Sequence, residues 1–382
     1  MHDAFMEGQK EVQPDYESFR SVILAWSQMH NKEEFSAHRA HRVLLWMLHL
    51  YQSGINDKAC PDTELINSVL HAWALSHHED APNKTEEILI LMDNLQRDKG
   101  IASVQPNLFS FNQVLTAWSK SGSSIAATRA QDILDYMEMY SQQPHHEWLQ
   151  PNIVSYAAAA TAWGRVGSED SATRAEEILK RVERKFLSGT DPRPCPDTIL
   201  YNFVIEAHAK SNASDSFWRA RKVLDRQIAL NKGGVRLCRP DVYSFTSVLG
   251  SCASVSGSNK KRQAAFRVAQ STFEEMCSFD AKGVAPNHVS YGQMLKACAR
   301  LLPPGQERDE WVEAYFHMCC KDGCVGEMVL SKLREAASPV KVKQLLNGMS
   351  KSALPPEWTW QVPNDEKKER RHRQSRKYTM YP

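Results

Sequence analysis

Three asparagines stand at the same place in a recurring pattern of the chain, and their side chains could donate and accept hydrogen bonds. Asn67, Asn112 and Asn202 each lie five residues after an Asp or Asn that follows a proline. Asparagine is a poor helix former because its amide competes with the backbone for hydrogen bonds. Its recurrence at one position of a predicted helix favours hydrogen bonding to a partner outside the molecule. A bond to the turn of the next repeat is the alternative.

Residue patterns that could support catalysis or hold a metal are incomplete. A zinc deaminase needs both H-x-E and P-C-x-x-C, but residues 77–79 and 145–147 match only the first element and no C-x-x-C is present. Residues 317–324 hold one histidine and three cysteines, in a spacing that is irregular for zinc. We therefore predict no enzyme activity, no cofactor and no metal.

The composition is that of a soluble folded chain. Of 382 residues, 42% are hydrophobic and 24% are charged, and no apolar run approaches the roughly 20 residues that span a bilayer. The net charge is +2, but residues 365–382 hold seven Lys or Arg and three Asp or Glu, so the rest of the chain carries −2. Bulk positive charge therefore does not decide what the main part of the chain binds. The nine cysteines show no disulfide framework, which favours a reducing compartment.

A sevenfold repeat organises the chain. Proline followed by Asp or Asn recurs every 44 to 47 residues, and a small residue always follows ten positions after the Asp or Asn. In the first four repeats that small residue is followed by Trp. The seven Asp and Asn residues are Asp15, Asp62, Asn107, Asn152, Asp197, Asp241 and Asn287. The constant offset indicates that the first element of each repeat tolerates no insertion.

Each repeat is predicted to form two helices, with the Asp or Asn capping the first. One helical hairpin cannot bury its apolar face alone, so stacked repeats should form an all-α solenoid. The residues four and ten positions after each Asp or Asn should form the core between repeats. We expect four segments: an N-terminal extension (1–13), seven repeats (14–325), C-terminal capping helices (326–363) and a basic disordered tail (364–382).

The pattern P-[DN]-x-x-[SL]-[YF]-N-x-[VL]-[IL]-x-A, followed by I-L-x-x-M in a second helix, resembles the pentatricopeptide repeat (PPR). Residues 106–117 are a near-ideal instance. The period is longer than is usual for the family and, with the A-W pair and the terminal C-C-x-D-G and L-P-x-x-W motifs, resembles PPR proteins of diatoms and related algae. The resemblance implies an α-solenoid of helix-turn-helix repeats forming a superhelix. It also implies sequence-specific binding of single-stranded RNA, one base per repeat.

The resemblance further implies which side chains contact RNA. In the family a base is read by the residue five after the Asp or Asn, together with the Asp or Asn that ends the repeat. The residue two after the Asp or Asn stacks on the base. The implied base-reading residues are Asn67, Asn107, Asn112, Asn152, Asp197, Asn202, Asp241, Thr246 and Asn287. The implied stacking residues are Phe109, Val154, Ile199, Tyr243 and Val289.

Two other functions remain open. The first is a scaffold that binds proteins, as tetratricopeptide arrays do; the second is an RNA-processing enzyme whose catalytic domain lies outside this chain. We expect a monomer that binds single-stranded RNA, with RNA-processing proteins as further partners and no membrane. The resemblance implies a mitochondrion or plastid and a role in RNA processing, stability or translation. Residues 1–10 show no targeting peptide, so a cytoplasmic protein or an incomplete N-terminus is the alternative.

Overall fold

The computed structural model describes residues 13–29, 35–189, 193–211, 213–279, 283–347 and 354–362. Within these ranges the chain forms sixteen α-helices and no strand, so the predicted all-α class is confirmed. None of the helices there has the length and apolar character that crossing a membrane requires. The predicted disordered tail and all but residue 13 of the predicted N-terminal extension lie outside the described residues.

The chain divides into two compact units, residues 1–196 and 197–382. Each unit is built from consecutive helix pairs. The pairs of the first unit are α1 (Tyr16–Ser27) with α2 (Ser36–Gln52), α3 (Thr63–Leu75) with α4 (Ala81–Lys99), α5 (Leu108–Ser121) with α6 (Ser124–Tyr140), and α7 (Ile153–Val166) with α8 (Glu169–Leu187).

The second unit continues with three pairs and two further helices. The pairs are α9 (Thr198–Lys210) with α10 (Ser216–Lys232), α11 (Val242–Cys252) with α12 (Asn259–Ser278), and α13 (His288–Leu301) with α14 (Gln306–Lys321). The helices α15 (Glu327–Ala336) and α16 (Pro339–Leu345) follow. Odd-numbered helices up to α13 are therefore the first helices of their pairs, and even-numbered helices up to α14 are the second.

Every first helix begins directly after the Asp or Asn of the recurring pattern. The side-chain oxygen of Asp62 accepts a hydrogen bond from the backbone N–H of Leu65 at 2.8 Å, and Asp197 does the same for Leu200. Such a cap satisfies an N–H group that has no partner within the helix. All seven Asp and Asn residues act in this way.

The predicted core residues of the repeats are buried with one exception. The residues four after the Asp or Asn are Phe19, Ile66, Phe111, Tyr156, Tyr201, Phe245 and Tyr291, and all are buried. The small residues ten after it are buried from Ala72 onward, whereas Ala25 is exposed. The repeat that contains Ala25 is the first of the series.

Tryptophans in the first helices link neighbouring pairs. Trp118 Nε1 donates to Glu86 Oε2 at 3.1 Å, and Trp163 Nε1 donates to Gln131 Oε1 at 3.3 Å. In both cases the acceptor lies on the second helix of the preceding pair. Each tryptophan therefore connects its own pair to the preceding one.

The two kinds of helix are packed differently. Within each unit a first helix packs against the first helix of the next pair, whereas second helices pack mainly against first helices. Ion pairs between long side chains connect neighbouring second helices: Arg181 pairs with Glu138 at 3.3 Å, and Arg221 pairs with Glu275 at 2.5 Å. The closer spacing of the first helices places them on the inner side of each unit.

The connection between pairs is more ordered than the loop of roughly ten residues expected from the sequence. Four connections contain a 3₁₀ turn that ends two residues before the proline. Its last residue is fully buried in each case: Ala59, Val104, Leu149 and Cys238. The apolar anchor explains why this part of each long repeat is ordered.

Two terminal motifs of the sequence contact each other. The backbone N–H of Val325 donates to the Trp358 carbonyl at 2.8 Å, and the N–H of Gln361 donates to the Gly323 carbonyl at 3.0 Å. The ring of Trp358 packs edge-on against Phe316. The C-C-x-D-G turn and the L-P-x-x-W segment thus form one closing structure beside α14.

The small residue between repeats gives a test of this packing. Replacing the buried Ala117 with Leu should lower the free energy of unfolding by about 1–3 kcal/mol, because the added atoms force the repeats apart. Ala25→Leu, at the equivalent but exposed position, is the matched control and should change stability little. Urea denaturation of both variants makes the comparison, and equal losses would contradict the packing described.

Candidate nucleic-acid interface

A row of exposed apolar side chains recurs at one position of the first helices. Phe109, Val154, Ile199 and Tyr243 all lie two residues after the Asp or Asn, and each is 47–59% exposed. Val289, at the same position, is half-buried. The aromatic residues two positions further along, such as Phe111 and Tyr156, are buried instead, so the exposed side chains point away from the core. A ligand with a flat ring or an apolar surface could pack against them.

The first two repeats lack this feature. Glu17 and Glu64 occupy the same position, and both carboxylates are exposed. Arg20 forms an ion pair with Glu17 at 3.5 Å, while Asp62 accepts a hydrogen bond from the Tyr16 hydroxyl at 2.8 Å. Arg20 occupies the position five after the cap Asp15. The residue that contacts Asp62, the next cap, is nevertheless Tyr16.

Three of the residue pairs implied by the resemblance are in direct contact. Asn67 Nδ2 donates to Asn107 Oδ1 at 3.3 Å, and Asn112 Nδ2 donates to Asn152 Oδ1 at the same distance. In the second unit, Asn202 Nδ2 lies 3.2 Å from both carboxylate oxygens of Asp241. The residue five after one cap is thus hydrogen-bonded to the cap of the next repeat.

A serine that the sequence analysis did not single out completes each of these contacts. The hydroxyls of Ser110, Ser155 and Ser244 donate to the side-chain oxygens of Asn67, Asn112 and Asn202 at 2.6–2.7 Å. The same serine oxygen accepts the backbone N–H of the cap residue, which makes a capping box. A serine three residues after the Asp or Asn is the sequence signal that could have identified it.

The network leaves one amide N–H of Asn67 and one of Asn112 available. Asn67 and Asn112 are only 7% exposed, and their oxygens are occupied by the serines. An asparagine amide has two N–H groups, of which one is used for the cap of the next repeat. The second has no hydrogen-bond acceptor among the described residues and is free to bind a carbonyl oxygen of a ligand.

The remaining implied pairs are arranged differently. The hydroxyl of Thr246 donates to the Val242 carbonyl of its own helix at 2.8 Å, so it offers only lone pairs to a ligand. Ala157 is half-buried and has no polar group. At the corresponding position of the seventh repeat Gly292 is buried, and a Cβ there would lie 3.1 Å from Cε of Met328. Asp197 is the N-cap of α9.

An open cavity of about 680 Å³ lies on the first helices of the second unit. Tyr243, Thr246, Asn287 and Val289 line it, together with Lys210 and Lys296. Burial and a hydrogen bond with Glu206 raise the pKa of Tyr243 to about 12, so its hydroxyl is protonated at neutral pH. This cavity therefore combines an aromatic ring, polar groups and positive charge.

Two basic residues thirteen after the cap support the repeats themselves. Lys120 Nζ donates to the Ala74 carbonyl, and Arg165 Nη1 donates to the Lys120 carbonyl at 3.1 Å. Carbonyl groups at the end of a helix lack partners within that helix, so each basic side chain satisfies the end of the preceding first helix. Burial and the charge of Arg165 lower the pKa of Lys120.

The two H-x-E matches that the sequence suggested for catalysis lie in turns between helices, and the cysteines suggested for metal binding are buried by packing. Residues 77–79 lie in the turn between α3 and α4, and residues 145–147 lie between α6 and α7. Cys324 Sγ contacts Gln361 Oε1 at 3.5 Å, and burial raises the pKa of the thiols of Cys319, Cys320 and Cys324. Among the described residues, no group of three or more His, Cys, Asp or Glu side chains is arranged to hold a metal ion.

Comparison with known proteins identifies the fold. No model of a protein family matches the sequence, and no curated protein is similar to it. The crystal structure of the pentatricopeptide repeat protein PPR10 from maize superposes with a TM-score of 0.55 at 18% identity, over 93% of this chain and 42% of that one. The chain has the fold of a PPR protein, as the sequence resemblance predicts, and spans less than half of that relative.

PPR10 has also been solved in complex with an 18-nt psaJ RNA element, once as such and once with cysteine substitutions. Both superpose with a TM-score of 0.40 at 18% identity, over 93% of this chain and 47% of those chains.

The serine network gives a test of the interface geometry. Ser110→Ala removes the donor to Asn67 and the acceptor of the Asn107 N–H, so the free energy of unfolding should fall by about 1–3 kcal/mol. Ser18→Ala is the matched control, because the side chain of Ser18 bonds its own cap residue Asp15 and no other repeat among the described residues. Comparable destabilisation of both variants would show that the contact between repeats contributes nothing.

Proposed function

We propose that this chain is a PPR protein that binds single-stranded RNA sequence-specifically, with one base bound per repeat. The observation that carries the proposal is the contact of Asn67, Asn112 and Asn202 with the caps of the following repeats. With it goes the exposed apolar side chain two residues after the caps of α5, α7, α9 and α11. A base needs a surface to stack on and groups that match its edge. Both are supplied at a constant interval by the first helices.

The chemistry of the pairs supports a preference for pyrimidines. The free N–H of the asparagine can donate to the O2 carbonyl, which uracil and cytosine share. For the pairs Asn67–Asn107 and Asn112–Asn152 the resemblance to the PPR family implies a preference for either pyrimidine. Asp241 is an acceptor only and favours the N3–H of uracil over the bare N3 of cytosine. The fifth repeat should therefore select uracil.

The sixth repeat has different chemistry. Thr246 offers lone pairs that can accept from the amino group of adenine, while the amide of Asn287 can donate to adenine N1. The fourth repeat has no defined preference because Ala157 has no polar group. Read 5′ to 3′, repeats two to six should prefer pyrimidine, pyrimidine, any base, uracil and adenine. Glu64 makes the first of these positions weak, because a carboxylate does not stack on a base.

Binding without chemistry of its own is the activity we propose for this chain. A bound protein would protect a transcript segment or expose a site for processing or translation, with RNA-processing proteins as partners. The period of the repeats supports a PPR protein of the long-period type, with seven repeats at residues 14–325 and capping helices at 326–363. A mitochondrion or plastid is the compartment proposed from the resemblance.

One observation favours the protein-binding alternative. A second cleft, of about 500 Å³, lies between α4 and α6 and is lined by Tyr136, Tyr140, His146 and Trp148. The ring planes of Tyr136 and Tyr140 are stacked, with centroids 5.3 Å apart. Aromatic side chains in a cleft are common at protein interfaces. The contact between an asparagine and the next cap, by comparison, recurs in three repeats.

The pairing gives a direct test of base reading. Thr246→Asn combined with Asn287→Asp copies the Asn202–Asp241 pair into the sixth repeat and should change its preference from adenine to uracil. The wrong base leaves a polar group unpaired, which costs about 1–3 kcal/mol. Selection from random RNA pools with the wild type and the double variant measures the change. An unaltered preference at that position would leave the residues as caps and favour the scaffold function.

Loss of a stacking residue should have a different effect. Tyr243→Ala should weaken binding to every RNA sequence by about 1–3 kcal/mol, since stacking does not depend on base identity. Its matched control is Glu64→Ala, which removes no stacking surface and should not weaken binding. Filter binding with several sequences makes the measurement; a loss restricted to one sequence would contradict the stacking role.

A further inference from the structure

The cavity of the second unit has more polar groups than base reading uses. Its lining includes Gln293 of α13 and Gly250 of α11, in addition to the stacking and reading residues. Gln293 lies six residues after its cap residue Asn287, and Gly250 lies nine after Asp241. The side-chain oxygen of Gln293 is buried and accepts no hydrogen bond within the described part of the chain.

The first unit contains the same glutamine in a satisfied state. Gln113 also lies six residues after its cap, and its Oε1 is 3.0 Å from Nδ1 of His71. His71 stands nine residues after Asp62, which is the position that Gly250 holds in the sixth repeat. The glycine therefore removes the partner that a histidine provides for the equivalent glutamine.

Glycine at this position also creates the space beside the amide. A Cβ at Gly250 would lie 3.7 Å from Cδ and from Oε1 of Gln293, which is ordinary contact. A buried acceptor without a donor is energetically unfavourable. Gly250 also lowers helix propensity. A ligand that donates a hydrogen bond to Gln293 would offset the cost of its unpaired oxygen.

The order of groups along the cavity indicates which part of a nucleotide faces Gln293. The stacking residue lies two positions after the cap of its own helix, and the reading residue lies five positions after it. On the same count Gln293 lies six positions after its cap, Lys296 nine and Lys210 thirteen. A nucleotide has the same order of base, sugar and phosphate. Ribose carries the 2′-hydroxyl, a donor that distinguishes RNA from DNA.

We propose that the side-chain oxygen of Gln293 accepts a hydrogen bond from the ribose 2′-hydroxyl of the nucleotide bound by the sixth repeat. This inference rests on the RNA binding proposed above and adds a sugar contact to it. Gln293 then makes this one position selective for RNA over DNA. Gln113, whose oxygen is already paired with His71, makes no such contact at the second repeat.

The charges around the site are compatible with a phosphate beyond the sugar. Burial and the positive charges of Arg300 and Lys332 lower the pKa of Lys296, so a phosphate would relieve repulsion there. Lys210 forms an ion pair with Glu206, and the same carboxylate bonds Tyr243. The Glu206 charge is thus balanced by Lys210, which leaves Lys296 as the cation available to the nucleotide.

The test uses the RNA selected by the full chain, with the sixth position assigned by the Thr246→Asn and Asn287→Asp exchange. A single 2′-deoxy substitution at that nucleotide should weaken wild-type binding about threefold to tenfold, the value of one hydrogen bond. In Gln293→Leu the same substitution should have no effect. Gly250→His, which supplies a partner for Gln293 and fills the cavity, should also abolish the deoxy effect.

The second repeat provides the internal control. A 2′-deoxy substitution at its nucleotide should act equally on the wild type and on Gln113→Leu. If the deoxy penalty at the sixth position is the same in the wild type and in Gln293→Leu, the sugar contact is wrong while RNA binding stands. A changed base preference in Gln293→Leu would likewise overturn it, in favour of base reading. Failure of the full chain to bind any RNA would overturn both proposals.

Discussion

The hydrogen bonds made by the Asp or Asn at the start of each first helix determine the rest of the interface. The N-terminal N–H groups of a helix need partners, and the cap supplies one with its side chain. The same side chain in three repeats accepts from the asparagine on the first helix of the preceding pair, at 3.2–3.3 Å. One residue thus begins a helix, fixes its neighbour and orients a polar group towards the open surface.

The first helix is divided between packing and binding by its register. The aromatic or aliphatic residue four after the cap is buried, and so is the small residue ten after it from Ala72 onward. These residues hold neighbouring repeats close together. The residue two after the cap is exposed, and the residue five after it is at the edge of the core. The repeat can therefore change the groups it presents at these positions without changing its own packing, as Thr246 and Ala157 show.

Much of this arrangement could be predicted from the sequence, because the spacing from the caps is invariant. The helix pairs, the buried aromatic residues and the small residue between repeats all follow from that spacing. The serines three residues after the caps are visible in the sequence, but their bonding partners are not, because each partner lies some 40 residues away in the chain. The contrast between Gln113 and Gln293 likewise depends on His71 and Gly250, which lie on another helix.

The central claim is that RNA bases lie against the first helices, and crosslinking tests it most directly. RNA selected by the protein and carrying photoreactive uridines would be crosslinked, digested and mapped to peptides by mass spectrometry. The account predicts crosslinks within α5, α7, α9 and α11, at the exposed residues two after the caps. Crosslinks confined to the second helices or to residues 364–382 would contradict it.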